Sequence, residues 1–129
     1  MANKVLIIDD DQVLRGLMTS AFAAAGYATL EAENGSKGVK LMDTYAPDLV
    51  VTDIVMPDLE GIGAIMEIKR RARPPKIIAI SGASQVRGPN YLKWAKHLGA
   101  DEVLAKPFKM SELIGVSRRV MNITTEFSE

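Results

Sequence analysis

Residues 5–11 read Val-Leu-Ile-Ile-Asp-Asp-Asp, an apolar run that ends abruptly in three carboxylates. Consecutive β-branched and aliphatic residues are typical of a strand that is covered on both faces, as in a parallel sheet. A second run of this kind, Leu-Val-Val-Thr at residues 49–52, ends at Asp53. In open α/β sheets, ligands bind in the crevice at the carboxyl ends of such strands. The two acidic strand ends therefore predict both a fold class and the place of a site.

The rest of the chain repeats this alternation of a short apolar run with a segment of helical periodicity. Further strands are predicted at Ala28–Ala32, Ile77–Ile80 and Glu102–Ala105, and a helix is predicted around residues 91–98. Five such repeats can be counted, and the alternation is typical of βαβ units with a mostly parallel sheet.

Three residues are expected to mark helix ends. Gly26 follows the first helical segment, where a left-handed residue commonly closes a helix. Ser36 and Ser111 precede the apolar positions of the second and the last helix, so each is predicted to act as an N-cap.

Length and composition limit the classes of function. The 129 residues suffice for one domain, and the 16 basic and 16 acidic residues cancel, so no overall charge attracts nucleic acid or an anionic membrane. The apolar runs fall short of the ~20 residues that a membrane span needs, and no signal-peptide pattern opens the chain. Cysteine is absent, which excludes disulfides and thiol catalysis. We expect one cytoplasmic domain without membrane insertion or direct nucleic-acid binding.

The acidic strand ends suggest a metal site. Carboxylates that lie close together repel each other unless a cation sits between them. A set of oxygen ligands, in a chain with one His and no Cys, favours Mg²⁺ over zinc and suggests phosphate chemistry. Taken alone, the three consecutive aspartates could instead cap a helix, which is worth up to ~2 kcal/mol.

Four short motifs stand at the ends of predicted strands, in this order: Asp9-Asp10, then Thr52-Asp53-Ile54-Val55-Met56-Pro57, then Ser81-Gly82, then Lys106-Pro107-Phe108. Together they resemble a CheY-like response-regulator receiver domain, and the resemblance covers essentially the whole chain. It implies an α/β, flavodoxin-like fold with a doubly wound, five-stranded parallel sheet in the order 2-1-3-4-5, flanked by five helices. It also implies a single receiver domain over residues 1–129, with a core at about 3–122 and a short polar tail.

The resemblance implies a role for each motif. Asp53 would accept a phosphoryl group, while Asp10, Asp53 and the backbone carbonyl of Val55 would bind Mg²⁺ directly, with Mn²⁺ as a possible substitute. Asp9 would act on the ion mainly through bound water. Lys106 would neutralise one phosphoryl oxygen, and the Ser81 hydroxyl would donate to another.

The resemblance also implies a switch, in which Ser81 and the loop at Gly82 would move toward the phosphoryl group. This movement would change the face formed by the fourth helix, fifth strand and fifth helix. Pro107 follows the lysine where receivers usually have a cis peptide, and we expect the same here. Val103 stands three residues before Lys106, where the family usually has Tyr or Phe. Any activation signal is therefore expected to pass through loop and helix movement rather than through a rotating ring.

The implied function is two-component signalling. A histidine kinase or a histidine phosphotransfer protein would supply the phosphoryl group, and the chain would not turn over small molecules as an enzyme. The output could be contact with a downstream target protein, or transport of phosphate as a relay or sink. A phosphorylation-independent interaction module is the alternative, because Val103 interrupts the usual switch. A phosphohydrolase of the haloacid-dehalogenase type is disfavoured, since the Asp-x-Asp-x-Thr motif is missing.

Overall fold

A computed structural model describes residues 3–54, 60–82, 97 and 99–121 of the chain. The strands are β1 (Lys4–Ile8), β2 (Ala28–Ala32), β3 (Leu49–Asp53), β4 (Lys76–Ser81) and β5 (Glu102–Ala105). The helices are α1 (Gln12–Ala24), α2 (Gly35–Tyr45), α3 (Glu60–Lys69) and α4 (Met110–Val120).

The five strands form one parallel sheet in the order β2-β1-β3-β4-β5, as predicted. Four helices lie in the described part of the chain. The helix predicted around residues 91–98 falls outside it, except for His97, which has helical conformation. None of the described helices combines the length and apolarity that a membrane crossing requires.

Helices cover both faces of the sheet, which explains why the central strands are apolar throughout. One cluster, the α2/α3 core, includes Leu6, Ile8, Met42, Val50, Ile65, Ile68 and Ile77. The other, the α1/α4 core, includes Val5, Ile7, Met18, Phe22, Val51, Ile78 and Leu113. Burying each large aliphatic or aromatic side chain contributes about 1.5–3 kcal/mol. Because β3 is buried at all five positions, its last residue, Asp53, is a carboxylate in the interior.

The helix ends follow local chemistry, and two predicted caps are wrong. Gly26 does close the first helix with a positive φ of 95°. At the second helix, the Asn34 side chain accepts a hydrogen bond from the Lys37 amide, so Asn34 is the cap and Ser36 lies within the first turn. At α4 the cap position is Lys109, whose amide donates to the carboxylate of Glu112, and Ser111 is already helical.

Candidate functional site

The acidic residues at the ends of β1 and β3 meet at one edge of the sheet. Ile8 of β1 pairs with Thr52 of β3, so the residues that follow them, Asp9 and Asp53, come next along neighbouring strands. One carboxylate oxygen from each of Asp9, Asp10 and Asp53 lies within 4.8 Å of the others. The structure thus brings together the three carboxylates that the sequence singled out.

Asp11, the last of the three consecutive aspartates, has a different role. Its Oδ1 atom accepts hydrogen bonds from the amides of Val13 at 3.0 Å and Leu14 at 3.1 Å, which makes it the N-cap of α1. Its own amide donates to Oδ1 of Asp9 at 2.8 Å. The capping explanation of the acidic run therefore holds for Asp11, whereas Asp9 and Asp10 belong to the cluster with Asp53.

Asp9 is fully buried. Its Oδ2 atom has no hydrogen-bond partner among the described residues. Burial raises the pKa of this carboxyl from 3.8 to about 6, helped by the charges of Asp53 and Asp10 and opposed by the Asp11 amide and Lys106. An ionised oxygen in this position is costly unless a positive charge approaches it.

Lys106, which follows β5, supplies one positive charge to the cluster. Its Nζ atom lies 3.1 Å from Oδ2 of Asp53, and the side chains are 30% and 6% exposed. Partial burial works to lower the pKa of Lys106, but the hydrogen bond and charge of Asp53, with the charges of Asp9 and Asp11, outweigh it and raise the pKa. Lys106 is therefore held in the charged form beside the Asp53 carboxylate.

Ser81 ends the strand between β3 and β5. It is fully buried, and its hydroxyl makes no hydrogen bond with any residue in the described part of the chain. Its carbonyl accepts a hydrogen bond from the Lys106 amide at 2.7 Å, so the end of β4 is bonded to the residue that directly follows β5. A buried hydroxyl without a partner is unusual and remains available to donate to a ligand.

The remaining predicted residues lie as follows. The Lys106–Pro107 peptide is cis, as expected. Gly82 directly follows Ser81 and is half-buried. Val103 on β5 is half-buried and packs against the α2/α3 core. Val55 and its carbonyl lie outside the described residues.

The cluster fits a hard divalent cation. Three carboxylates within reach of one point offer the all-oxygen ligands that such ions prefer, and the unpartnered Oδ2 of Asp9 marks unmet demand for positive charge. The site could therefore hold a metal ion beside the Lys106 ammonium.

Sequence reasoning missed one residue next to the cluster. Arg15 in α1 donates to the backbone carbonyl of Asp9 at 2.7 Å and to Oε1 of Glu31 at 3.0 Å. A signal was present, because a cation in the first turn of a helix opposes the helix dipole and needs a compensating contact.

Comparisons with known proteins agree with this geometry. The family model for the response regulator receiver domain matches residues 5–118. Over 123 residues, the chain is 32% identical to the chemotaxis protein CheY of Bacillus subtilis, covering 95% of this chain and 100% of that protein. Over 109 residues, it is 38% identical to the chemotaxis protein CheY of Halobacterium salinarum, covering 84% of this chain and 88% of that protein. The structure of a Francisella response regulator receiver domain superposes with a TM-score of 0.82 and 27% identity, covering 93% of this chain and 97% of that one.

The chain belongs to the response regulator receiver domain family. Receiver domains are signalling domains of two-component systems that interact with histidine kinases and downstream effectors, and they do not themselves turn over small molecules as enzymes. The chain spans only 26% to 48% of the length of several other curated relatives, including the regulator of RpoS of Escherichia coli.

Proposed function

We propose that this chain accepts a phosphoryl group on Asp53 in a Mg²⁺-dependent reaction, with a histidine kinase or a histidine phosphotransfer protein as the donor. The observation that carries the proposal is the Asp53 carboxylate, buried at the end of β3, beside Asp9 and Asp10 and 3.1 Å from the Lys106 ammonium. A nucleophile for phosphorus needs this combination of an ionised oxygen and neighbouring positive charge.

The transfer is a displacement at phosphorus. An Asp53 oxygen forms the new P–O bond as the P–N bond to the donor histidine breaks, and the electron pair of that bond returns to the imidazole. The product is an acyl phosphate. Because the donor already carries a good leaving group, positioning and neutralisation of charge supply most of the catalysis.

Two side chains would receive the phosphoryl oxygens. Lys106 already contacts Asp53, so its ammonium can pass to a phosphoryl oxygen over a short distance. The Ser81 hydroxyl, buried without a partner in the described structure, can donate to another oxygen once the group is present. This donation, with displacement of Gly82 after it, is the proposed switch.

Asp9, Asp10 and Asp53, with the Val55 carbonyl as a further proposed ligand, would hold the Mg²⁺ ion. When bound, the ion neutralises the carboxylates and the charge on the phosphoryl group. Mn²⁺ has the same preference for oxygen ligands and would substitute.

A protein donor is supported by the surface beside the site. Val13 and Leu17 lie one turn apart on α1, directly after the acidic residues, and are 75% and 54% exposed. Large apolar side chains that remain exposed next to a reactive carboxylate suit a surface that is covered when the phosphohistidine protein docks.

The output is proposed to be protein contact, either with a downstream target or as a relay or phosphate sink. Half-buried Val103 packs on the α2/α3 core, so a phosphorylation signal would travel through the Ser81–Gly82 segment and its neighbours instead of a rotating aromatic ring.

The test is incubation with acetyl phosphate and Mg²⁺ followed by intact-protein mass spectrometry, with Asp53→Asn and a chelator as controls. A mass gain of one phosphoryl group, absent in both controls, supports the proposal. If acetyl phosphate gives no gain, the assay is repeated with a phosphorylated histidine phosphotransfer protein. Failure with both donors would favour the phosphorylation-independent interaction module.

A further inference from the structure

Arg15 occupies a position that is unfavourable for a cation. It is the fourth residue of α1, in the turn where the helix dipole favours negative charge, yet its side chain is only 16% exposed. A residue that violates a local rule is expected to be compensated by contacts elsewhere, often at a functional site. The compensation here is a pair of hydrogen bonds, one to the acidic cluster and one to Glu31 on β2.

The first hydrogen bond fixes a peptide group inside the cluster. Nη1 of Arg15 donates to the carbonyl oxygen of Asp9 at 2.7 Å. This carbonyl belongs to the peptide that joins Asp9 to Asp10, so its orientation sets the direction in which the chain enters Asp10. On the other side of the same residue, the Asp9 amide donates to the Ala32 carbonyl at 3.1 Å.

The second hydrogen bond fixes the guanidinium itself. Nε of Arg15 donates to Oε1 of Glu31 on β2 at 3.0 Å. An ion pair near the surface contributes little to stability by itself. Here it holds the planar group so that Nη1 remains directed at the Asp9 carbonyl.

Asp10 depends on this support because none of the described residues holds its side chain. Asp10 is exposed, and no hydrogen bond to a residue in the described part of the chain holds its carboxylate. Its direction toward Asp9 and Asp53 therefore comes from the backbone.

We infer that Arg15, anchored by Glu31, is a positioning residue that aims the Asp10 carboxylate into the cation site. The inference rests on the proposed Mg²⁺-dependent function. Outer contacts that orient metal ligands commonly change metal affinity by about 10-fold or more when they are lost.

The sign of the effect separates positioning from simple electrostatics. Replacing Arg15 by Met removes a positive charge near the carboxylates, which on charge alone would make Mg²⁺ bind more tightly. If Arg15 instead orients Asp10, the same replacement misdirects the Asp10 carboxylate, and Mg²⁺ binds more weakly.

The experiment is a calorimetric titration of Mg²⁺ into wild type, Arg15→Met, Arg15→Lys and Glu31→Gln, together with amide NMR shifts of Asp9 to Asp11. We expect Arg15→Met to raise the Mg²⁺ dissociation constant about 10-fold. Arg15→Lys retains the charge and one donor, so it should recover part of the affinity. High Mg²⁺ should restore the phosphorylation rate of Arg15→Met, because the ligands are misdirected rather than absent.

Arg71→Met is the matched control. Arg71 also bonds a carboxylate, Asp43, and a backbone carbonyl, that of Glu67, but it follows α3, near the amino end of β4. This variant should lose stability in denaturant unfolding without a change in Mg²⁺ affinity. If Arg15→Met does not fold, Arg15→Lys and Glu31→Gln decide the question.

The inference is overturned if folded Arg15→Met, or both milder variants, bind Mg²⁺ as tightly as wild type or more tightly. Failure of the proposed function gives a different result. In that case the wild type binds Mg²⁺ but takes no phosphoryl group from either donor, while the effect of Arg15 on Mg²⁺ affinity persists. If the wild type does not bind Mg²⁺ at all, the result contradicts both the role of Arg15 and the proposed Mg²⁺-dependent function.

Discussion

The Nζ atom of Lys106 lies 3.1 Å from Oδ2 of Asp53, although 53 positions of sequence separate the two residues. The sheet accounts for this proximity, because β4 lies between β3 and β5 and the Lys106 amide bonds to the carbonyl of Ser81 at its end. The contact joins the proposed nucleophile to a positive charge at the end of β5.

Replacing Lys106 by Met should slow phosphorylation of Asp53 by acetyl phosphate about 100-fold, the typical loss when a preorganised donor to a developing charge is removed. The rate is measured by mass spectrometry at saturating Mg²⁺. Lys109→Met, which removes an exposed lysine three residues away, serves as the control and should keep the wild-type rate. Equal rates for the two variants would contradict the role given to Lys106.

The adjacent residues Asp10 and Asp11 should respond in opposite ways to substitution. Asp11→Ala removes the cap of α1 and should cost about 0.5–2 kcal/mol of unfolding free energy while Mg²⁺ still stabilises the protein. Asp10→Asn should leave the fold stable and abolish most of the stabilisation by Mg²⁺, which at 100-fold excess over the dissociation constant amounts to about 2.7 kcal/mol.

Denaturant unfolding with Mg²⁺ and with chelator measures both effects. The assignment of the two aspartates is wrong if Asp11→Ala loses the response to Mg²⁺ and Asp10→Asn keeps it.

Burial of Asp9 should make stability depend on pH in the absence of metal. The pKa of this acid is raised from 3.8 to about 6, so the folded state holds the proton more tightly than the unfolded state. Protonated Asp9 therefore contributes to the free energy of unfolding. This contribution is fully present below the unfolded pKa and is lost as pH rises through the folded pKa, a change of about 3 kcal/mol in total.

The comparison is wild type against Asp9→Asn, unfolded in chelator at about pH 5 and about pH 7.5, on either side of the folded pKa. The free energy of unfolding of wild type, relative to that of the variant, should be lower at about pH 7.5 than at about pH 5. A difference that does not change with pH would show that burial does not perturb this carboxyl.

The exposed apolar side chains of α1 should matter for a protein donor and not for a small one. Leu17→Gln should slow transfer from a phosphorylated histidine phosphotransfer protein several-fold and leave the acetyl phosphate rate unchanged, since no buried contact is altered. Met66→Gln, an exposed apolar residue of α3 on the opposite side of the sheet, is the control. A similar loss in the two variants would exclude a specific contact at α1.

Strand ends were the most predictable part of the molecule. The runs before Asp9 and Asp53 are apolar on both faces, so they had to be central strands, and parallel order then placed their carboxylates together. The cis peptide before Pro107 was also foreseen, from the family resemblance.

Helix caps and supporting contacts were less predictable, because they depend on where each helix begins to within one residue. Asn34 caps α2 in place of Ser36, since both residue types are good caps and only the backbone decides between them. Arg15 was missed for a related reason. Its partners, the Asp9 carbonyl and Glu31, become neighbours only when β1, β2 and α1 pack together.

The most direct measurement is the location of the phosphoryl group. After reaction with acetyl phosphate and Mg²⁺, reduction with borohydride converts an aspartyl phosphate to homoserine, and peptide mass spectrometry then identifies the residue. We predict homoserine at position 53 only, and none when Mg²⁺ is chelated. Homoserine at Asp9, Asp10 or another aspartate, with Asp53 intact, would contradict the account.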